Sequence, residues 1–397
     1  MRKPRLERVL HRSVDVVSTA VVLGLVAALL WAVAIWALRY NHRHSLGIDD
    51  EPVLDAAYEG IPRVLAVIPA RNEERNIGRC LDAVSRSDYP RLRIRVIDDD
   101  STDRTPEIAL AAARRDPRIE VLAAGALPQG WLGKNHALWV GTRGTDDDWL
   151  LFMDADLRIE PSCVARAVAA AQRRGADLLT MLPNGELVTF WEVAAQGVMG
   201  HFILVMLNMS LVNSSESSRA AAFGPFMLFR RSAYEAIGGH EAVRHQVVED
   251  LRLAQAVKRA GLRLLVVRGT RLATLRMYDS LRAIVAGWCK NFHVAFEGKT
   301  WGVPPVVAGI LFVYGVPWVL PFVALVRGDH LGLAASALAL SVAAAARWDC
   351  SRLYGFRARG THLAPLGALV VSCTLIASVL RSRRRKPAQW KARNVYG

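Results

Sequence analysis

Three short acidic clusters, far apart in the chain, carry side chains that could do chemistry together. Asp98-Asp99-Asp100-Ser101-Thr102-Asp103 follows an apolar run. A carboxylate there can accept hydrogen bonds from the imide N–H of a uracil ring or from ribose hydroxyls, although Ser, Thr and Asp also suit a helix N-cap and a solvated turn. Asp154-Ala155-Asp156 follows Trp149-Leu-Leu-Phe-Met153. In extended backbone, side chains at i and i+2 lie on one side, so both carboxylates can face one point. Two hard oxygen ligands suit Mg2+ or Mn2+ that is also bound by phosphate. The third cluster, Glu249-Asp250, opens a helix expected to run to Ala260 and stop at Gly261. Acids in a first turn complement the helix dipole. The chemical reading gives Asp250 the proton of an attacking hydroxyl, with Glu249 orienting the acceptor or Asp250 itself.

Between these clusters, Gly130-Trp131-Leu132-Gly133-Lys134-Asn135-His136 sets a lysine at a helix start, where backbone N–H groups and an ammonium can meet a diphosphate. It lacks the Gly-x-x-x-x-Gly-Lys-Ser/Thr spacing of a Walker loop, which argues against an ATPase.

The elements that position these groups alternate. Short β-rich runs at 64–68, 94–97 and 149–153 each end in Pro or Asp. Helical stretches follow at 73–87, 106–115 and 161–174, the last with Pro161 in its first turn and Gly175 beyond its end. The pattern predicts an α/β fold, a mostly parallel sheet with helices on both faces, and ligands gather at the carboxyl ends of such strands.

Apolar runs flank this domain. Residues 16–38 carry no charge, nor do 300–326, 331–346 and 363–380. The first is long enough to cross a bilayer as a helix, and its end lacks the small-x-small site of a cleavable signal. We therefore divide the chain into a basic segment 1–13, a transmembrane helix 14–38, a domain 60–300, a membrane region 301–380 with about three hydrophobic helices, and a basic tail 381–397. A further charge-free stretch, 193–215, is interrupted by Gln196, His201, Asn208 and Asn213. It lies between acidic motifs that must share one site, so we read it as a buried or interfacial helix lining an acceptor entrance.

The net charge is +15, of which residues 1–13 hold +4 and 381–397 hold +7. Only +4 remains for the other 367 residues, which excludes a nucleic-acid footprint and assigns the ends to anionic headgroups. The five cysteines form no Cys-x-x-Cys pair, and a reducing compartment or membrane interior fits them.

In order, Ile68-Pro-Ala-Arg-Asn-Glu73, Val96-Ile-Asp-Asp-Asp-Ser-Thr-Asp103, Gly133-Lys134 with Ala137-Leu138, Asp154-Ala-Asp156, Gly238-Gly239 and Glu249-Asp250 resemble the motif series of family-2 glycosyltransferases with the GT-A fold. The resemblance implies that Pro69, Ala70, Glu73, Asp98 and Asp99 border the nucleoside of a nucleotide-sugar donor, with a UDP-sugar expected. It implies that Lys134 contacts the diphosphate, Asp154 and Asp156 the metal and donor, and that Asp250 is the base of an inverting transfer. The flanking spans, Trp288 in Gly287-Trp288-Cys289-Lys290-Asn291 and the tail from Gln389 to Tyr396 look like the branch of ceramide, hopanoid-associated and carotenoid glycosyltransferases. That likeness implies a lipid acceptor, with Gly238, Gly239 and Trp288 on its side, and a bacterial inner-membrane protein with a cytoplasmic catalytic domain. Polysaccharide synthases carry Gln-x-x-Arg-Trp where this chain reads Ile284-Val-Ala-Gly-Trp288, so a processive synthase is the alternative and a nucleotidyltransferase a more distant one.

A cytoplasmic domain sends the basic N-terminal segment outward, against the positive-inside tendency. Three full C-terminal spans send the basic tail outward as well. If the run containing Pro304, Pro305, Pro317 and Pro321 is re-entrant, the tail returns but Arg347, Arg352, Arg357 and Arg359 do not.

Overall fold

The computed structural model describes residues 18–53, 60–295, 300–355 and 360–383, and the backbone of 389–390 and 393–394. The basic segment 1–13, Arg357, Arg359 and the side chains of the tail beyond Arg381 lie outside the described residues.

Helix α1 (Thr19–His44) starts where the Ser18 hydroxyl accepts from the Val21 N–H, and leads into β1 (Leu46–Gly47). Then follow β2 (Val64–Ala70), α2 (Ile77–Ser85), β3 (Leu92–Asp98), α3 (Thr105–Ala113), β4 (Ile119–Ala123), α4 (Gly133–Gly141) and β5 (Trp149–Met153). The second half holds β6 (Leu157–Ile159), α5 (Cys163–Arg173), β7 (Leu178–Leu182) and β8 (Asn184–Gly185). A π-helical turn, Glu192–Gln196, continues into α6 (Gly197–Met206), α7 (Met209–Asn213) and β9 (Phe226–Arg230). Helices α8 (Arg231–Ala236), α9 (Gly239–Ala242) and α10 (Glu249–Arg259) lead to β10 (Leu264–Arg268), β11 (Ala273–Leu275) and α11 (Leu281–Ala295). The long α12 (Val303–Val326), α13 (His330–Tyr354) and α14 (Ala364–Arg383) follow, and the last elements are the short strands Gln389–Trp390 and Arg393–Asn394.

Eight strands form one sheet in the order β1-β10-β7-β9-β5-β2-β3-β4, parallel except for β9, which runs against both neighbours. The central strands β5 and β7 are buried along their whole length, which is why they read as unbroken apolar runs. Alternation along β2 feeds two cores: Val64, Ala66 and Ile68 pack with Ile77 and Leu81 of α2, whereas Leu65 and Val67 pack with Leu138 of α4 and Leu253 of α10. Strands β6, β11 and β8 make a smaller sheet. The expected mostly parallel sheet with helices on both faces is present. Some boundaries differ from the sequence expectation. Residues 73–76 belong to a loop rather than to α2, and Pro161 sits in a turn before α5 instead of in its first turn.

Among the described residues, four helices are long and apolar enough to cross a membrane: Thr19–His44, Thr300–Val326, His330–Tyr354 and Thr361–Arg381. The Pro-rich run is one continuous helix rather than a re-entrant loop. Pro317 has no N–H to give the Val313 carbonyl four residues earlier, and the Trp31 indole N–H takes that acceptor at 2.9 Å. Sequence bias against an internal proline is thus met by a cross-helix hydrogen bond. Leu38 of α1 and Tyr354 of α13 join the sheet core, which seats the bundle on the α/β domain.

The stretch read as a buried or interfacial helix becomes the π-turn, α6 and α7. Its polar side chains are tied across elements: the Gln196 amide donates to the Tyr278 carbonyl at 3.0 Å, and His201 Nδ1 lies 2.6 Å from the Tyr314 hydroxyl.

Candidate active site

Strand register sets the first part of the site. Ala70 is opposite Asp98 and Val67 is opposite Phe152, so the carboxyl ends of β2, β3 and β5 form one edge. Asp98 and Asp154 leave it two strands apart, about 10 Å at ordinary strand spacing. Asp98 Oδ2 accepts weakly from the Ser101 N–H at 3.4 Å, while Oδ1 is buried with no hydrogen-bond partner. Such an atom calls for a ligand. Asp99 is buried and its N–H donates to the Ala70 carbonyl at 2.8 Å.

The loops after β2 and β3 are laced together. The Asn72 N–H donates to Ser101 Oγ (3.0 Å), the Thr102 N–H to Asn72 Oδ1 (2.8 Å) and the Glu73 N–H to Thr105 Oγ1 (2.7 Å). Asn72 and Asp100 take positive φ, which short polar side chains tolerate. Ser101, Thr102 and Thr105 shape the loop, as the turn reading expected, and Asp98 keeps one acceptor oxygen without a partner at the strand end.

Asp154-Ala155-Asp156 is a turn rather than an extended segment, closed by the Leu157 N–H donating to the Asp154 carbonyl at 3.1 Å. The cause is the short gap between β5 and β6. The two carboxylates nonetheless act on the same neighbours. Burial pushes the Cys80 thiol and the Tyr278 phenol up, and the charges of Asp156 and Asp154 push both further.

Asp250, in the first turn of α10, meets this turn through one dipeptide. The Gly224 N–H donates to Asp250 Oδ2 at 3.0 Å, and the next carbonyl, Pro225, accepts from the Asp154 N–H at 3.2 Å. Phe223 is locked to the buried Thr180 hydroxyl through both its N–H and its carbonyl. Lys134 closes the ring: its ammonium lies 2.7 Å from Asp154 Oδ1 and 2.8 Å from Glu249 Oε1. Burial raises Glu249, but the Lys134 charge and hydrogen bond outweigh it and hold the carboxyl below its usual range. Asp250 is pushed up to about 6, first by burial and then by the Glu249 charge, against the opposing pull of Lys134. Two adjacent acids are thus driven apart, one held as an anion and one able to exchange a proton near pH 6.

The glycine-lysine loop also holds the third cluster in place. Buried Asn135 donates its amide to the carbonyls of Val243 and Gln246, each at 2.9 Å, and so fixes the loop entering α10. Gly238 and Gly239 act through a neighbour. Gly239 has φ +52, and a Cβ there would come within 2.5 Å of the Tyr234 ring. The turn seats His240, which burial and then the Lys134 charge pull down to about 3, a neutral ring behind the ammonium. Gly239→Ala is expected to cost about 1–3 kcal/mol, the order of a strained backbone site, read as a lowered Tm of the solubilised protein. An unchanged Tm would show that the turn relaxes freely.

Several residues were not legible as site members. Tyr278 follows β11, and Cys80 lies on α2 with its thiol donating to the Asp154 carbonyl at 3.8 Å. Lys290 is pulled down by burial, and the charges of Glu249, Lys134, Asp154 and Asp250 all reach it. It stands two residues after Trp288, so the motif quoted for that tryptophan already contained it. Trp288 itself packs on Phe292, with its indole nitrogen buried and lacking a hydrogen-bond partner.

The sequence model of glycosyl transferase family 2 matches residues 65–238. The 4,4'-diaponeurosporenoate glycosyltransferase of Staphylococcus haemolyticus is 28% identical over 262 residues, 65% of this chain and 67% of that protein. The protein of the same name from Staphylococcus aureus strain MRSA252 is 26% identical over 308 residues, 76% of each chain. Among solved structures, the fold is similar to that of the mannosyltransferase PcManGT from Pyrobaculum calidifontis, in complex with GDP-Man and Mn2+. The TM-score is 0.50 at 16% identity, covering 92% of this chain and 99% of that one. Residues 65–238, which bring Asp98, Lys134 and Asp154 to one sheet edge, are therefore a family-2 glycosyltransferase domain, as the order of its motifs implied.

Proposed function

We propose that this chain transfers a sugar from a nucleotide diphosphate donor, with a UDP-sugar expected, to a lipid acceptor at the cytoplasmic face of a membrane, with inversion at the anomeric carbon. The observation that carries the reading is the Gly224-Pro225 dipeptide, which hydrogen-bonds Asp250 with one residue and Asp154 with the next. The Asp250 carboxylate and the Asp154 backbone N–H are therefore bound to adjacent residues of one dipeptide, while Lys134 joins the Asp154 carboxylate to Glu249 beside Asp250. The lipid acceptor draws on relatives named for 4,4'-diaponeurosporenoate and on the apolar helices around the domain.

The residues at the turn fit a hard divalent cation. Asp154 and Asp156 offer only oxygen, and the Cys80 thiol beside them is kept protonated by burial and by their charges. Among the described residues, no group of three His, Cys, Asp or Glu side chains could hold a metal alone. This suits Mg2+ or Mn2+, which share their shell with substrate phosphates and water. Bound there, such an ion supplies Lewis-acid stabilisation of the leaving diphosphate.

The protein groups do the rest. Asp98, Asp99, Pro69, Ala70 and Glu73 line the edge that takes the nucleoside. Lys134 brings a preorganised positive charge to the diphosphate, the kind of term that often dominates catalysis. Asp250 accepts the acceptor hydroxyl's proton while its oxygen bonds the anomeric carbon and the bond to the diphosphate breaks, with Glu249 remaining an anion on Lys134. Attack opposite the leaving group inverts configuration.

Mass spectrometry of membrane lipids from cells with and without the gene is expected to show a glycolipid only in the former. Identical lipid profiles, with transfer to a soluble acceptor in vitro, would overturn the lipid reading. EDTA is expected to abolish transfer, and Mn2+ or Mg2+ to restore it. Mn2+ binding in the presence of nucleotide should weaken in Asp156→Asn; full activity in EDTA would remove the metal from the scheme.

A further inference from the structure

We propose that α14 does not cross the membrane but lies along the bilayer surface on the catalytic-domain side, with its outer stripe in the acyl boundary and the basic tail against anionic headgroups. Its length and composition alone would make it a fourth span.

The bundle has two distinguishable ends. At the far end, the Ser18 hydroxyl meets the Asp329 carboxylate between α12 and α13. Two small clusters fill that half, Ala20 with Leu320 and Ala324, and Ala27 and Ala28 with Ala339; both are built from α1, α12 and α13, with no residue of α14. At the near end, Arg39 pairs with Asp349 at 2.5 Å, and Gly355 abuts Asn184 of β8 in the catalytic domain. Three antiparallel helices therefore reach from end to end.

The hydrogen bonds and the closest backbone approach of α14 lie at the near end, while Ala364, Ala368, Val371 and Leu375 also pack in one cluster with Trp31, Ile310, Tyr314 and Ala343 of the bundle. Gly367 is so close to the π-turn that a Cβ would sit 2.1 Å from the Ala194 carbonyl oxygen. Val370 packs beside Tyr278 and Trp288. Two turns later the Cys289 thiol donates to the Thr374 carbonyl at 3.4 Å, and the Ser378 hydroxyl donates to the Cys289 carbonyl at 2.9 Å. These partners belong to segments that carry charge: α11 carries Arg282 and Lys290, and the π-turn carries the buried Glu192, paired with Arg276 at 2.9 Å. Charged neighbours of that kind are costly in the hydrocarbon core.

The outer face fits a membrane surface. Leu369, Cys373, Ile376 and Leu380 are exposed at spacings of four, three and four, one stripe of the helix. The tail that follows carries seven basic residues and no acid, the combination of apolar face and cations that holds a helix on an anionic leaflet. The arrangement also eases the conflict in the charge pattern. With three crossings, Arg352, Arg357, Arg359 and the tail fall on the side of the catalytic domain, and the N-terminal basic segment and Arg327 remain opposite it.

In a Cys373→Ala background, full-length chains carrying Arg327→Cys, Thr361→Cys or Gly397→Cys can be labelled with a membrane-impermeant maleimide in intact and lysed cells. Residues 361 and 397 are expected to label on one side and 327 on the other; 397 labelling with 327 would overturn the proposal. A second measurement places a fluorophore at Leu369→Cys, at native Cys373 or at Leu380→Cys and reads depth with quencher lipids in vesicles containing phosphatidylglycerol. A surface helix gives one shallow depth throughout. A spanning helix gives depths that change by about 16 Å between 369 and 380, at 1.5 Å per residue, and that gradient would also sink it. Neither outcome depends on whether transfer occurs.

Discussion

Asp250→Asn is expected to leave donor binding intact and to lower transfer by about 10²–10⁴-fold, the range for a positioned general base. The amide keeps an oxygen for the Gly224 N–H, gives up the 2.7 Å bond that Oδ1 accepts from the Leu251 N–H, and loses the ability to take a proton. The wild-type pH profile carries the same information. Asp250 is pushed up to about 6 by burial and by the Glu249 charge, and the base works only when ionised. Activity should therefore fall as pH drops through about 6, with a plateau above, and this limb should vanish in the variant. Stability provides a control with the opposite sign. A carboxyl whose folded pKa is raised contributes stability below its unfolded pKa and loses it as pH rises through about 6. At pH 8 the wild type bears the cost of a buried anion that asparagine avoids, so the variant should unfold no earlier. Wild-type turnover in Asp250→Asn, or a flat profile down to pH 5, would take the role from Asp250.

What the sequence showed of this site was chiefly what local pattern can encode. Apolar runs ending in Asp98 and Asp154 mark strand ends, because a two-sided sheet strand must be apolar throughout and can carry charge only past its edge. Glu249-Asp250 marks a helix start through the dipole. What connects them was not legible, because those links are long-range: Lys134 reaching Glu249 over more than a hundred residues, or Gly224-Pro225 joining the Asp250 carboxylate to the Asp154 backbone N–H through main-chain groups. The Asp154–Asp156 pair shows the limit well. Its convergence was expected from extended geometry and arises instead from a turn, so the right neighbours came from the wrong backbone. Membrane content was readable by length and hydropathy, but whether α14 spans or lies flat depends on partners in α11 and the π-turn, which no property of its own twenty residues encodes.

Lys134→Met tests whether the centre works as one electrostatic unit. The ammonium holds Asp154 and Glu249 at 2.7 and 2.8 Å, and methionine keeps most of the side-chain volume while removing the charge. Transfer is expected to fall by about 10²–10³-fold, comparable to deleting one preorganised transition-state donor, and KM for the donor should rise. The diagnostic sign lies in the pH profile. Lys134 holds down both Glu249 and Asp250, so its loss raises both carboxyls and moves the acid limb to higher pH. A surface lysine with no part in the site would leave the limb and the donor KM where they are. Lys134→Arg separates charge from shape: if charge alone matters, the acid limb returns toward its wild-type position, while transfer stays impaired to the extent that the longer planar group misplaces Asp154 and Glu249. Asp250 can be a base near neutrality only because its neighbour is neutralised by a cation that also faces the donor phosphates. Base strength and leaving-group stabilisation are thus set by the same ammonium, and a variant that disturbs one without the other would show that the two halves of the reaction are built separately.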